Sequence, residues 1–247
     1  MIDEILVRQG GWLFRWRSYV LLGFGPLILW AISGSEPIAS NFGPMIDGLY
    51  EAGCVALALA GLAIRALTAG FVPRGTSGRN TSRQIADSLN VTGMYSLTRN
   101  PLYLGNALTI MGVTLFAQSL YLALLMGLFL VLYLERIIAA EERFLMAQFG
   151  QAYVDWATSV PAFFPRPSGW VQPELAFSWR TVLKREHSSM MAILASLFVI
   201  DQTRDFLYLS KASFDPAWLA ALAVATVAYG VLVWMKKRTR LLDVDGR

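Results

Sequence analysis

The chain has one cysteine, one histidine and few charged side chains: Asp, Glu, Lys and Arg make up 15% of its 247 residues. A lone cysteine, Cys54, cannot form an intramolecular disulfide, and one cysteine with one histidine cannot build the usual zinc sites. We therefore expect no structural metal. Soluble globular domains carry about 25% charged residues. The shortage of charge, with 55% hydrophobic residues and a mean hydropathy of +0.49, predicts an integral membrane protein.

Six apolar runs are candidates for transmembrane helices, which need about 20 residues to cross the hydrocarbon. They are Tyr19–Ser33, Leu49–Thr68, Leu102–Ala117, Leu120–Ile138, Met190–Leu209 and Trp218–Met235. The first run is short and follows three arginines, so it also resembles a signal peptide, although we favour an uncleaved anchor. The sequence thus predicts an all-α, polytopic membrane bundle of about six helices.

The basic residues give the predicted orientation. If the N-terminus is cytoplasmic, all but two of the 21 Lys and Arg residues fall on the cytoplasmic side, and the exceptions are Arg204 and Lys211. Cytoplasmic loops carry such an excess of Lys and Arg. We therefore expect both termini in the cytoplasm, and we interpret the net charge of +4 as a topology signal rather than as a nucleic-acid-binding surface.

The third and fourth predicted spans are separated by only Gln118 and Ser119. A connection this short forces an antiparallel hairpin, so the two open ends should meet at the cytoplasmic surface. Polar residues occupy both ends. The third span is entered through Tyr95-Ser96-Leu97-Thr98-Arg99-Asn100-Pro101-Leu102-Tyr103-Leu104-Gly105, and the fourth is left through Glu135-Arg136 and Glu141-Glu142-Arg143.

These two ends predict a binding site. Asn100 is a plausible N-cap and Pro101 a natural first helical residue, so free backbone N–H groups would favour an anionic group there. Glu141 and Glu142 add negative charge close by. The pattern therefore favours a ligand that is both cationic and anionic. Each piece also has an ordinary interpretation, because Asn-Pro often only begins a helix and Glu-Glu-Arg often only ends one in solvent.

The same residues carry a family resemblance. The string from Thr92-Gly93-Met94-Tyr95 through Arg99-Asn100-Pro101-Leu102-Tyr103-Leu104-Gly105 is followed by Glu141-Glu142-Arg143-Phe144-Leu145, Phe149-Gly150, Tyr153 and Val160-Pro161. This order of motifs resembles the isoprenylcysteine carboxyl methyltransferase and phospholipid methyltransferase superfamily. The resemblance covers residues 49–165. It implies S-adenosylmethionine as the methyl donor, bound at the cytoplasmic end of the hairpin, and a lipid or lipid-anchored acceptor that enters from the bilayer.

The resemblance also implies roles for single residues. The residues expected to bind the cofactor are Tyr95, Arg99, Asn100, Pro101, Tyr103, Leu104, Gly105, Glu141 and Glu142. Glu142 and Arg136 are the candidates for a catalytic role, Arg136 by its position near the end of the fourth span. One residue departs from the pattern: carboxyl methyltransferases generally show Arg-His-Pro-x-Tyr, whereas Asn100 stands at the middle position and cannot titrate.

The remaining sequence is organised around this core. Residues 166–189 are expected to form an interfacial connector able to cover the pocket, and residues 190–236 two additional spans. Asp201, Arg204 and Asp205 are read either as an ion-paired outer helix end or as a polar contact for a headgroup or another helix. The acceptor stays open between a lipid headgroup and a prenylcysteine carboxylate. The alternative function is a non-catalytic membrane transport or assembly protein that retains the fold.

Overall fold

The computed structural model describes residues 2–33, 38–73, 75, 86–209 and 216–247, and all regular secondary structure within them is helical. This confirms the all-α class. The helices are α1 Ile2–Val20, α2 Gly25–Ser33, α3 Ile38–Phe42, α4 Pro44–Phe71, α5 Met94–Leu97, α6 Pro101–Phe116, α7 Leu120–Phe149, α8 Gln151–Ser159, α9 Trp179–Leu209 and α10 Pro216–Arg238. Short 3-10 turns lie at Leu21–Phe24 and Pro167–Gly169.

Four helical segments are long and apolar enough to cross a membrane, and this supports the integral-membrane prediction. They are Leu21–Phe42, Pro44–Phe71, Leu120–Phe149 and Pro216–Arg238, the first of which includes residues 34–37 outside the described part.

Two of the six predicted spans, those in α6 and α9, form helices that are not among these four segments. Helix α6 has 16 residues, so at about 1.5 Å per residue it is shorter than a hydrocarbon core of about 30 Å. Helix α9 has 31 residues, but polar side chains at both of its ends shorten its apolar run. Of the two outer basic residues, Lys211 lies outside the described residues.

Helices α6 and α7 form the predicted antiparallel hairpin. Gln118, with φ +56°, makes the reversal, and the Ser119 hydroxyl accepts a hydrogen bond from the Leu122 N–H, which caps α7. The Gln118 side chain also donates to Asp47 Oδ1 at 2.7 Å and accepts from the Ile38 N–H at 2.7 Å. The hairpin turn is therefore fixed to the beginning of α4, at the end of the bundle opposite Pro101.

Helices α4 and α6 approach each other so closely that only glycine fits at several contacts. A Cβ atom on Gly105 would lie 2.7 Å from the Gly61 carbonyl oxygen and 2.6 Å from Cγ of Arg65. A Cβ atom on Gly112 would lie 2.6 Å from the Ala58 backbone nitrogen. Gly105, which the sequence assigned to the cofactor site, thus serves at least as a helix-packing residue.

Helix α1 lies along α7. Gly10 lies so close to the backbone carbonyl of Arg136 that a Cβ atom would not fit there. Phe14 is buried together with Leu134 and Ile137 of α7. A second buried cluster joins α2, α4, α6 and α9 and includes Ile32, Ala58, Phe116, Ile193 and Leu197. Helix α10 packs beside α9 and has no buried residues of its own, so its apolar surface faces outward.

We predict that Gly105→Ala destabilises the protein, because its Cβ would collide with Arg65 and with the backbone of α4. Overpacking of this kind costs about 1–3 kcal/mol. The measurement is thermal unfolding of the purified protein in detergent. Gly127→Ala on α7 is the matched control, because a Cβ there meets nothing within 4 Å. Equal melting temperatures for the two variants would contradict the close helix contact.

Candidate functional site

The start of α6 is built as the sequence predicts, but the Asn100 side chain points to a different partner. Asn100 occupies the N-cap and Pro101 the first turn, and the Leu104 N–H donates to the Asn100 carbonyl at 3.0 Å. The Asn100 side chain makes no capping hydrogen bond. Its Nδ2 atom instead donates to the Ala162 carbonyl at 2.9 Å. Asn100 therefore binds the chain that follows α8.

That chain, residues 160–171, forms a strap along the residues that lead into α6. The hydrogen bonds between the two segments are Arg99 N–H to Pro161 O at 2.9 Å, Thr98 Oγ1 to Phe163 O at 2.9 Å, Arg166 N–H to Leu97 O at 3.0 Å, Val171 N–H to Ser96 Oγ at 2.9 Å and Gly93 N–H to Val171 O at 2.9 Å. Because backbone groups make most of these bonds, the strap holds the start of α6 largely independently of side-chain identity.

The end of α7 meets the start of α6 through two charged or polar contacts. The Tyr103 hydroxyl donates to Glu141 Oε2 at 2.7 Å. Arg99 Nη1 lies 3.1 Å from Glu142 Oε1, which makes an ion pair between side chains that are 19% and 29% exposed. The structure thus brings both members of the Glu pair to the residues around Pro101, as the hairpin predicted.

Tyr153 completes this cluster from α8. Gly150 adopts φ +55°, a conformation that favours glycine, and this turn separates α7 from α8. Tyr153 is 2% exposed and interacts with both Arg99 and Glu142. Burial, followed by the negative charge of Glu142, raises the pKa of Tyr153 to about 12, although Arg99 opposes this. Tyr153 is therefore neutral at physiological pH and can donate a hydrogen bond.

The cluster contains buried polar atoms without hydrogen-bond partners in the described part of the chain: Arg99 Nε, Glu142 Oε1 and Tyr153 Oη. The ion pair between Arg99 and Glu142 has a short distance but is not aligned as a hydrogen bond. An unsatisfied buried polar group costs about 1–3 kcal/mol, so three together call for an explanation. A cation, a carboxylate and a hydroxyl at one place fit a ligand that carries both an anionic and a cationic group.

Further residues surround this cluster, and Tyr95, Pro101 and Leu104 among them were predicted from the sequence. Arg17 of α1 interacts electrostatically with Glu141 and Tyr103. Tyr95 interacts with Tyr103 and with Arg185, and its carbonyl accepts a hydrogen bond from Trp156 Nε1 at 3.2 Å. Pro101 and Leu104 are buried. The position of Arg17 could not be predicted from the sequence, because it depends on how α1 packs against α7.

Arg136, a predicted catalytic residue, binds residues of α1 and of its own helix. Its Nε atom donates to Gln9 Oε1 of α1 at 2.8 Å, and its Nη1 atom donates to the Leu132 carbonyl at 2.7 Å. Its other described partner is Glu135, which is 54% exposed. None of these described contacts is with Arg99, Glu141 or Glu142. Arg136 thus links α1 to α7.

His187 and Arg204 of α9 have partners outside the cluster. His187 Nδ1 is 3.1 Å from the Leu183 carbonyl, and its ring lies beside Tyr229 of α10. Near the other end of α9, Arg204 pairs with Asp201 at 3.2 Å and with Glu51 of α4. The structure therefore contains both an ion pair within this end of α9 and a contact with another helix.

Comparison with known proteins agrees with the resemblance seen in the sequence. Residues 53–152 match the family model described as phospholipid methyltransferase. This segment contains Tyr95, the residues from Arg99 to Gly105, and the Glu pair, whereas Tyr153 lies one residue beyond it. The predicted superfamily is thus confirmed for this segment.

Two curated proteins are similar to part of the chain. The cobalt-zinc-cadmium resistance protein CzcN of Cupriavidus metallidurans is 38% identical over 82 residues, which are 33% of this chain and 38% of that protein. The nickel-cobalt-cadmium resistance protein NccN of Alcaligenes xylosoxydans xylosoxydans is 35% identical over 92 residues, 37% of this chain and 40% of that protein. The matches span less than half the length of each relative. No solved structure matches the chain significantly.

We predict that Tyr153→Phe leaves the ligand-free protein equally stable or slightly more stable, because the hydroxyl that it removes is buried without a partner. Thr98→Val is the matched comparison. It also removes a buried hydroxyl, but one that donates to Phe163 O, so it should cost about 1–3 kcal/mol. Thermal unfolding in detergent measures both. If Tyr153→Phe destabilised the protein as much as Thr98→Val, Tyr153 would have a hydrogen-bond partner within the fold.

Proposed function

We propose that the chain is an integral-membrane methyltransferase that uses S-adenosylmethionine and transfers its methyl group to a lipid or lipid-anchored acceptor. The family match of residues 53–152 supports a methyltransferase-like core. The observation that carries the proposal is the group of unpartnered polar atoms on Arg99, Glu142 and Tyr153, because it provides complementary groups for one charged ligand.

The amino-acid end of S-adenosylmethionine fits these groups. Arg99 would bind its carboxylate, Glu142 its ammonium group, and the neutral Tyr153 hydroxyl would donate a further hydrogen bond. When bound, the cofactor supplies a methyl group on a positively charged sulfur, which is already activated for transfer. The protein therefore needs chiefly to orient the reactants, exclude water and place charge.

The strap and the start of α6 would provide the orientation. Asn100 holds the strap at Ala162, and Arg99 is held through its backbone N–H at Pro161. These two hydrogen bonds hold the Arg99 backbone in place beside the strap. In this proposal Asn100 is a positioning residue, a role that does not require the titratable histidine of the carboxyl methyltransferase pattern.

Glu141 would accept the proton that an amine acceptor must lose. It already accepts a hydrogen bond from Tyr103, and Arg17 interacts with it electrostatically. A carboxylate acceptor would need no such step, because it is a competent nucleophile at neutral pH. The acceptor class in our proposal therefore includes a lipid headgroup and a prenylcysteine carboxylate. The excess of basic residues in the predicted inner loops supports a site that faces the cytoplasm.

We predict that Glu142→Gln lowers methyl transfer by about 100-fold or more, because it removes the charge proposed to hold the cofactor. The measurement is transfer of labelled methyl from S-adenosylmethionine in membranes that contain the full chain and native lipids. Glu135→Gln is the matched control, since Glu135 lies on the same helix, is exposed and pairs with Arg136. Transfer by Glu142→Gln at the rate of the control variant would remove Glu142 from the site.

Two further measurements sharpen this experiment. Binding of labelled S-adenosylmethionine to the purified protein separates a missing acceptor from a missing cofactor site, and only Glu142→Gln should weaken it. Mild base treatment of the product identifies the acceptor, because a methyl ester releases methanol whereas a methylated amine keeps the label. Absence of cofactor binding in the folded wild-type protein would contradict the proposal.

A non-catalytic membrane role is the second candidate, and the names of the two relatives favour it because both are resistance proteins for metal ions. The described part of the chain has no group of three or more His, Cys, Asp or Glu side chains arranged to hold a metal. This candidate is a transport or assembly protein that retains the fold. It predicts a folded protein that binds no S-adenosylmethionine, which the binding experiment tests directly.

A further inference from the structure

One side of α1 carries aromatic and basic side chains together. Arg8, Trp12, Arg15 and Tyr19 follow one another at intervals of four, three and four residues, and Trp16 lies four residues after Trp12. Residues three or four apart lie on the same side of a helix, so these five share one face, which we call the α1 outer face.

The aromatic side chains of the α1 outer face form an exposed row. Trp12, Trp16 and Tyr19 are 58%, 46% and 64% exposed. The ring centroids of Trp12 and Trp16 are 6.4 Å apart, and those of Trp16 and Tyr19 are 5.8 Å apart. The opposite side of α1 packs against α7 through Gly10 and Phe14. The row is therefore contiguous apolar surface of the kind that marks a site of interaction.

The two arginines of the α1 outer face are exposed and make this face basic. Neither the Arg8 nor the Arg15 guanidinium forms an ion pair or a hydrogen bond with a described residue. Arg17, on the other side of the helix, differs from them because it lies over the Phe14 ring. Glu4 is the one acidic residue among the described residues of this face. The α1 outer face thus has a net positive charge beside its aromatic row.

Helix α1 adjoins the ends of two candidate spans. It leads directly into the candidate span Leu21–Phe42. It also runs beside the charged end of α7, because Gly10 lies against the Arg136 carbonyl and the Tyr133 hydroxyl donates to the Arg17 carbonyl at 3.5 Å. Trp and Tyr are enriched where the hydrocarbon of a membrane gives way to its headgroups. The aromatic row therefore lies where headgroups are expected.

We propose that the α1 outer face binds anionic phospholipid, with the lipid phosphate at Arg8 and Arg15 and the aromatic rings against the glycerol and the upper acyl chains. Guanidinium groups are well suited to phosphate oxygens. Trp and Tyr rings combine a large apolar surface with a polar edge, which fits this level of a lipid. Complementary charge thus identifies the occupant of the face as an anionic lipid. The proposal does not depend on methyl transfer.

The first experiment tests the arginines. The purified full chain in uncharged detergent is titrated with fluorescent phosphatidylglycerol and, separately, with fluorescent phosphatidylcholine, whose headgroup has no net charge. A basic side chain near an anionic lipid surface contributes a factor of about five to binding, so the double variant Arg8→Gln, Arg15→Gln should bind phosphatidylglycerol about 25-fold more weakly. The matched control is Lys237→Gln, Arg240→Gln, which removes the same charge from exposed positions at and after the end of α10.

The second experiment tests the aromatic row. The double variant Trp12→Ala, Trp16→Ala should weaken phosphatidylglycerol binding several-fold but keep the preference over phosphatidylcholine, because both arginines remain. Its matched control is Trp30→Ala, Trp234→Ala, since these tryptophans are also exposed but lie on α2 and α10. Thermal unfolding in the same detergent checks that every variant folds.

The outcomes are distinct. Weaker binding of phosphatidylglycerol only in the α1 variants supports the proposal. Equal weakening by the two charge variants would reduce the effect to diffuse surface charge and overturn it, and so would a wild-type protein that does not prefer phosphatidylglycerol. The proposal would also be overturned by a wild-type dimer that binds neither lipid and that Trp12→Ala, Trp16→Ala dissociates, because a second copy of the chain would then cover this face.

Discussion

The close contact between α4 and α6 is the constraint on which the rest of the bundle depends. Because Gly105 has no side chain, Arg65 can pass beside it and form the ion pair with Glu186 of α9. The same Arg65 also donates to Asn106 of α6. One small residue therefore allows two backbones to touch and a third helix to be joined to them. Paired in this way, a buried charge costs less than it would alone, which is how this polar group is accommodated inside an apolar bundle.

The candidate ligand site depends on this frame but is built by other residues. The frame fixes the direction of α6, and the hairpin then returns α7 so that Glu141 and Glu142 come beside Tyr103 and Arg99. Tyr153 arrives from the short helix after Gly150. Polar atoms of Arg99, Glu142 and Tyr153 have no hydrogen-bond partner among the described residues, whereas neighbouring residues such as Pro101 and Leu104 are buried. This combination is typical of sites that gain their last hydrogen bonds from a ligand.

Much of this arrangement could be predicted because it depends on local sequence. The short Gln118–Ser119 connection predicts the hairpin, Asn100 and Pro101 predict the start of α6, and the family motifs predict the superfamily. The contacts of Asn100 with Ala162 and of Arg136 with Gln9 could not be predicted, since both partners lie far away in the chain and no local pattern encodes their packing. Tyr153 was visible as part of the resemblance, but only the turn at Gly150 brings it to the Glu pair. The six predicted apolar runs all lie in helices, of which four are long and apolar enough to cross a membrane over their whole length.

The strap has a consequence for the order in which the protein is made. Its hydrogen bonds join residues 93–100 to residues 160–171, so they close a long loop of chain that includes the whole hairpin. During synthesis the hairpin helices emerge and can pair before the strap exists, because local contacts form before distant ones. Glu141 and Glu142 would then lie beside a start of α6 that has not yet formed its hydrogen bonds with the strap. The start of α6 therefore gains the strap's hydrogen bonds only after the chain has been synthesised as far as residue 171.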